Sequence, residues 1–215
     1  MIFPRGSLVV SCQAPPASPF HGPAGMTLMA RAAALGGAAG IRANGAADIA
    51  AIHAAVDLPI IGISKTGDPD GVYITPTFAA AAPLVSAGAS IVGLDATLRP
   101  RPETLSGLIA RIHGELGVPV LADVDSVAAG VAAASAGADL VATTLSGYTG
   151  GPVPSEPDLE LVRGLAVELS CPIVAEGRYV TPADVSAAFD AGATAVVVGT
   201  AITNPTAITR RLVER

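Results

Sequence analysis

The sequence predicts an α/β fold, a (β/α)8 TIM barrel forming a single domain over residues 1–215, and three features support this. Short β-branched runs alternate eight times with Ala-rich segments of helical length. The runs are near-continuously apolar with little polar alternation, the pattern of parallel strands covered on both faces. A joint of one kind, "AGASIVGLD", "AGADLVATT" and "AGATAVVVG", occurs three times, as repeated helix-to-strand connections require. Eight βα units in roughly 200 residues match a closed barrel. The alternative, an open doubly wound sheet, rarely has eight such regular units.

In chain order the predicted strands are "SLVVSCQ" (7–13), "AAGIRAN" (38–44), "PIIGISK" (59–65), "SIVGLDAT" (90–97), "PVLADVDS" (119–126), "DLVATTLS" (139–146), "PIVAEG" (172–177) and "TAVVVGT" (194–200). Helices are predicted near 27–35, 45–55, 76–87, 103–115, 126–136, 156–169, 182–190 and 205–213. In "TPAD" (181–184), Thr181 is placed as N-cap with Pro182 in the first turn, and the "AGA" triplets at 87–89, 136–138 and 191–193 close helices.

Composition narrows the function. Hydrophobic residues make up 51% of the chain and charged ones 14%, which excludes a disordered chain. The core must be built from Ala, Val, Ile and Leu, because aromatics are only 3%. A net charge of −6 disfavours nonspecific binding to nucleic acid or anionic membrane, so neither is expected as a partner. Cys12 and Cys171 form no disulfide framework or metal pattern and are expected as reduced thiols in the cytoplasm. Residues 71–94 carry no charge, but Pro76, Pro83, Gly88 and Gly93 interrupt them, and they divide into a helix and a strand. No secretory apolar region follows Arg5, where the run is only "LVV".

In a barrel of this type the reactive groups gather at the C-terminal ends of the strands. Those ends read Gln13, Arg42, Lys65, Asp95, Asp123, Thr144, Glu176 and Gly199. Seven of these eight are polar, in a chain poor in polar side chains, and together they predict a ligand-binding cup. Lys65 is the sole lysine; the other eleven basic side chains are arginine. A surface charge can be either residue, but an amine that must lose its proton near neutral pH cannot be Arg. Lys65 is therefore a candidate general base or Schiff-base nucleophile; the plainer reading has it reaching solvent or pairing with Asp68 or Asp70.

Glu176 closes the apolar run "IVAE", where a charge is costly without a task; otherwise it is an exposed loop carboxylate. Arg42 offers a planar five-donor group for a ligand, or serves as an ion-pair partner of Asp95 or Glu176. Asp95 and Asp123 either orient Lys65 or satisfy backbone N–H groups. The units "AEGRYVTPAD" and "VVGTAITNPTAIT" each place a glycine, Gly177 and Gly199, between strand and helix. Loops after strands 7 and 8 commonly bind phosphate in such barrels. His53 and His113 fall on helices and His21 in the first βα loop, all three read as surface or packing residues. Without a His/Asp/Glu cluster or a CxxC pair, no metal site and no cofactor are expected.

The motifs "LVVSCQA", "GIRANG", "PIIGISK", "LDATLRPRP", "LADVDS", "TTLSGYT", "VAEGR" and "VVGTAITNP", in this order and spacing, resemble the N-acetylmannosamine-6-phosphate 2-epimerase family from end to end. The resemblance implies a cofactor-independent isomerase that interconverts N-acetylmannosamine 6-phosphate and N-acetylglucosamine 6-phosphate in sialic acid breakdown. By position, Lys65 matches the family's catalytic lysine and Glu176 its active-site glutamate. Gln13, Arg42 and Asp123 match residues that hold the sugar, and Gly177, Arg178, Gly199 and Thr200 fall in the segments that match its phosphate loops. Two departures stand out: Asn204 precedes Pro205 where the family often has Arg, and Thr66 follows the lysine where a basic residue is common. A Schiff-base aldolase using Lys65, or a non-catalytic phosphosugar-binding barrel, are the competing readings. A homodimer is expected from the Ala-rich outer helices.

Overall fold

In a computed structural model of the chain, residues 2–66 and 71–214 are described. Eight parallel strands close in sequence order into one barrel: β1 Ser7–Cys12, β2 Gly40–Asn44, β3 Ile60–Ile63, β4 Ile91–Asp95, β5 Val120–Asp123, β6 Leu140–Ala142, β7 Ile173–Glu176 and β8 Ala195–Val198. The register closes with Ser7 beside Ala195 and Val10 beside Val198.

The helices follow the predicted cycle: α1 Pro23–Leu35, α2 Ala46–His53, α3 Phe78–Ser86, α4 Leu105–Arg111, α5 Val127–Ser135, α6 Leu159–Glu168 and α7 Pro182–Asp190. Thr181 caps α7 as expected: its side chain accepts from Asp184 N–H, and the Asp184 carboxylate accepts in return from Thr181 N–H. Gly88, Gly137 and Gly192 sit at φ between 102° and 109°, the left-handed turn that ends a helix at each "AGA".

Two units differ from the prediction. The helix expected over 103–115 changes pitch after Arg111 into a π-helical turn, Ile112–Leu116, which Gly117 ends at φ 68°. The eighth helical unit has two parts, a short α8 Thr200–Thr203 and then α9 Pro205–Val213. Asn204 separates them because its side chain accepts from Ala207 N–H at 3.0 Å, capping α9.

Strand periodicity sorts the side chains into two sets. Val9, Ile61, Ile91, Leu121, Leu140, Ala142, Val174, Ala195 and Val197 form one cluster inside the barrel, with Phe3 packed among them. Residues of opposite parity, such as Val10, Ile41, Ile60, Val92, Val120, Val141, Ile173 and Val196, face the helices. Counting upward in twos from the inner set reaches Gln13, Lys65, Asp95, Asp123, Thr144, Glu176 and Gly199. Arg42 shares their side of the barrel, since its neighbours Ile41 and Ala43 face outward. Arg42, Asp95, Asp123 and Glu176, within their strands, thus fall on the inner side of the barrel, and Gln13, Lys65, Thr144 and Gly199 follow in the same parity just beyond theirs.

Gly93 makes room for this arrangement. A Cβ there would lie 2.7 Å from Ile63 Cγ2, 3.3 Å from Ile61 Cγ2 and 3.8 Å from Arg42 Cζ. Gly93→Ala is therefore expected to destabilise the protein by about 1–3 kcal/mol through overpacking. Urea titration measures it: a midpoint lowered at constant slope supports the account, and an unchanged midpoint contradicts it.

Candidate active site

A cavity of about 760 Å³ opens at the C-terminal mouth of the barrel. Of the residues proposed from the sequence, Gln13, Arg42, Lys65, Glu176, Gly177, Arg178, Gly199 and Thr200 line it. Asp123 and Asp95 do not, and each is used in a different way.

Asp123 lies beneath the cavity floor, fully buried. Its carboxylate takes two parallel bonds from Arg42, Nη1 to Oδ1 at 3.0 Å and Nη2 to Oδ2 at 2.6 Å. The sequence reading had Asp123 among the substrate contacts; here its oxygens are engaged by Arg42 and by Thr144 Oγ1, 2.6 Å from Oδ1. Asp95 turns to its own loop. Its Oδ1 accepts from Thr97 N–H and Oγ1, its Oδ2 from Arg99 Nη2 at 2.7 Å, and its carbonyl from Arg101.

Arg42 Nη1 also approaches Glu176 Oε2 at 3.0 Å, and Thr144 Oγ1 lies 3.1 Å from the same oxygen. One guanidinium thus touches two carboxylates. Burial disfavours its charge, but Asp123 and Glu176 outweigh burial and leave Arg42 firmly protonated. Glu176 has the opposite balance. Burial raises its carboxyl above the ordinary 4.5, and nearby Asp123 adds to this, although Arg42, Thr144 and Lys65 pull the other way. Asp123 offsets part of the Arg42 attraction, and burial outweighs what is left, so the Glu176 carboxyl stays raised.

Lys65 follows β3 at the rim, with its side chain open to the cavity. The surrounding rim still desolvates its amine, and this, with the Arg42 charge, lowers its pKa below 10.5 against the pull of Glu176 and Asp123. Among the described residues Lys65 makes no ion pair; Asp68 and Asp70, its other suggested partners, lie outside them. The two titrating groups of the mouth are therefore displaced toward each other.

The adjoining loops after β7 and β8 complete one side of the cavity. Gly177 takes φ 115° and Arg178 φ 65°. Arg178 donates from Nε to Glu156 O and from Nη1 to Ser146 O, each at 2.6 Å, tying this loop to the segment before α6. Gln13 donates to Ser11 Oγ at 2.8 Å, while its Oε1 is buried without a partner. Of the histidines, none lines the cavity; His113 pairs at the surface with Asp139 and His21 contacts Ala14 O. Among the described residues no group of three or more His, Cys, Asp or Glu is placed to hold a metal ion.

Sequence reasoning missed the tyrosines. The chain has three, Tyr73, Tyr148 and Tyr179, and all three line the cavity. Their scarcity and their place just beyond strand ends, in "GVYIT", "SGYT" and "GRYV", were the available signal. Arg210 and Arg211 of α9 also line it, and no strand end points to them.

The profile of the family described as "Putative N-acetylmannosamine-6-phosphate epimerase" matches residues 26–215. A protein of Cutibacterium acnes named "Putative N-acetylmannosamine-6-phosphate 2-epimerase" is 49% identical over 209 residues, covering 95% of this chain and 91% of its own. One of the same name from Thermosynechococcus vestitus is 50% identical over 201 residues, covering 93% and 88%. Among solved structures, the N-acetylmannosamine-6-phosphate 2-epimerase from Clostridium perfringens superposes with a TM-score of 0.93 at 41% identity, covering 98% of this chain and 93% of that one. Similarity of this extent makes the chain a member of the N-acetylmannosamine-6-phosphate epimerase family.

Proposed function

We propose that this chain interconverts N-acetylmannosamine 6-phosphate and N-acetylglucosamine 6-phosphate by moving the proton at C2, a step of sialic acid breakdown. One observation carries the reading: Lys65 and Glu176 share a cavity in which the amine's pKa is lowered and the carboxyl's is raised. An amine shifted toward its neutral form beside a carboxyl shifted toward its protonated form supplies a base and an acid to one site.

The chemistry follows from the sugar. In the open-chain form C2 lies beside the C1 aldehyde, so its proton is acidic and its loss gives an enolate. Neutral Lys65 takes that proton. Negative charge develops on O1, where Glu176, as the acid, and Arg42 stabilise it. A proton drawn from solvent through the site then reaches the opposite face of C2 as the charge on O1 collapses back to the aldehyde, which inverts the centre. The Lys65 ammonium returns its proton to solvent. A positioned base contributes roughly 10²–10⁴ in rate, so oxyanion stabilisation supplies much of the remainder. Gln13 holds the sugar, and Asp123 acts through Arg42. The β7 and β8 loops, with Gly177, Arg178, Gly199 and Thr200, receive the phosphate. Asn204 carries no charge for it and is engaged as a cap.

The protein works in the cytoplasm as a homodimer in this reading. Both cysteines are free thiols, and no helix among the described residues is long and apolar enough to cross a membrane. Helix α9 buries none of its residues and exposes Leu212 and Val213, an apolar face suited to a second copy. Light scattering is expected to give about twice the 21.1 kDa chain mass, and a value near one chain mass rejects the dimer.

Incubation with N-acetylmannosamine 6-phosphate in D2O, followed by NMR, is expected to yield the C2 epimer; absence of inversion rejects the proposal. Borohydride added with substrate is expected to leave the enzyme unmodified, whereas covalent trapping on Lys65 points to an aldolase. Lys65→Arg, which cannot lose its proton, is expected to reduce turnover by about 10²–10⁴-fold at unchanged thermal midpoint.

The pH profile has a definite sign. With one proton on the Lys65–Glu176 pair the site holds both a base and an acid. A second proton, at low pH, removes the base; loss of both, at high pH, removes the acid. kcat/KM should therefore be bell-shaped, its limbs belonging to the pair. In Glu176→Gln the alkaline limb should vanish, leaving a rise to a plateau, and a retained bell removes Glu176 from this role.

A further inference from the structure

The backbone that carries Lys65 is built in an unusual way. Beyond β3 the chain forms a short antiparallel contact with itself: Lys65 bridges Ile74, Thr66 N–H donates to Tyr73 O at 2.9 Å, and Thr75 N–H donates to Ser64 O at 2.8 Å. Ile74 O in turn accepts from Asp95 N–H at 2.8 Å, which ties this contact to β4. Thr75 is fully buried and sits at φ 46°. A β-branched residue in the left-handed region is a strained outlier, and such strain persists only where the surroundings over-determine it, often at functional sites. Glycine would take this φ without strain, but it has no hydroxyl, and the hydroxyl is in use. Thr75 Oγ1 accepts from Ser64 N–H at 3.0 Å.

The peptide between Ser64 and Lys65 is held at both polar ends. Its carbonyl accepts from Thr75 N–H, and its N–H donates to Asn44 Oδ1 at 2.9 Å, from the inner face of β2. That peptide plane sets the direction in which the lysine side chain leaves the backbone. Arg42 lies two residues before Asn44 on the same face of β2, so one strand supplies both the guanidinium and one jaw of the clamp.

We propose that Asn44 and Thr75 are positioning residues that clamp the two peptides flanking Ser64, Asn44 through Lys65 N–H and the Thr75 hydroxyl through Ser64 N–H, and so aim the Lys65 amine at the Arg42–Glu176 end of the cavity. The inference rests on Lys65 as the base, but its test does not depend on activity alone. The chain has a single lysine, so a sample labelled at lysine Cε gives one NMR resonance from Lys65. Its titration reports whether the amine stays inside the rim, facing Arg42 of β2, Asp123 of β5 and Glu176 of β7.

The experiment compares the full-length wild type with Asn44→Leu, Thr75→Val and Thr75→Ser, by lysine titration, kcat, KM and thermal midpoint. In Asn44→Leu and Thr75→Val the lysine midpoint is expected to rise toward the ordinary 10.5 as the amine swings outward. Their kcat is expected to fall about 10²-fold, the cost of roughly 1 Å of misplacement, with KM little changed. Thr75→Ser keeps the hydroxyl and is expected to retain the wild-type titration and turnover. Should Thr75→Val not fold, Asn44→Leu decides, since its side chain is half-buried at a strand end. A wild-type titration in folded Asn44→Leu overturns the clamp, as does a Thr75→Ser variant as impaired as Thr75→Val. A wild type that titrates low but fails to invert C2 overturns the functional reading and leaves the clamp standing on its titration.

Discussion

The mouth of this barrel is organised around the buried pair of Arg42 and Asp123. Both side chains are withdrawn from water, and their double contact at 3.0 and 2.6 Å is the geometry in which a guanidinium and a carboxylate are best matched. Removing one member of such a pair strands the other, at a cost of about 3–5 kcal/mol. The pair joins β2 to β5 across the barrel. It also leaves room for a second carboxylate, because Glu176 approaches the same Nη1. With Asp123 already matched to the guanidinium, Glu176 feels burial more than attraction, and its proton is retained to higher pH. The arginine that holds the floor together thereby also tunes the acid above it.

The two cations of the mouth divide their work by chemistry. Arg42 keeps its charge whatever surrounds it, so it serves as a fixed positive wall. Lys65, further up and just beyond the neighbouring strand β3, loses its proton more easily because of burial and of that fixed charge. Exchanging the two residue types would reverse neither role: a lysine in the floor lacks the fork that bonds Asp123 twice, and an arginine at the rim has no neutral form.

Much of this was legible in the sequence. Apolar runs separated by Ala-rich segments gave the barrel, and period-two counting along the strands reaches seven of the eight mouth positions, with Arg42 following from its outward-facing neighbours Ile41 and Ala43. What the pattern did not contain was pairing across the barrel. Asp95 and Asp123 close similar runs and are register neighbours on β4 and β5. One is taken by a distant arginine from β2 and the other by Thr97 and Arg99 of its own loop, and only the closed geometry distinguishes them. The loop after β3 was equally unreadable, since the folding back that brackets Lys65 depends on Thr75 adopting a backbone its type disfavours. Asn204 is informative in the other direction. A departure from the family's pattern at that position is accounted for by a local hydrogen bond that starts α9.

The placement of the three tyrosines has an optical consequence. The chain contains no tryptophan, so its near-ultraviolet emission arises almost wholly from phenol rings, and every one of those rings borders the cavity at the barrel mouth. Native fluorescence, which in most proteins averages over the whole molecule, is here a label-free reporter of what enters and leaves the mouth.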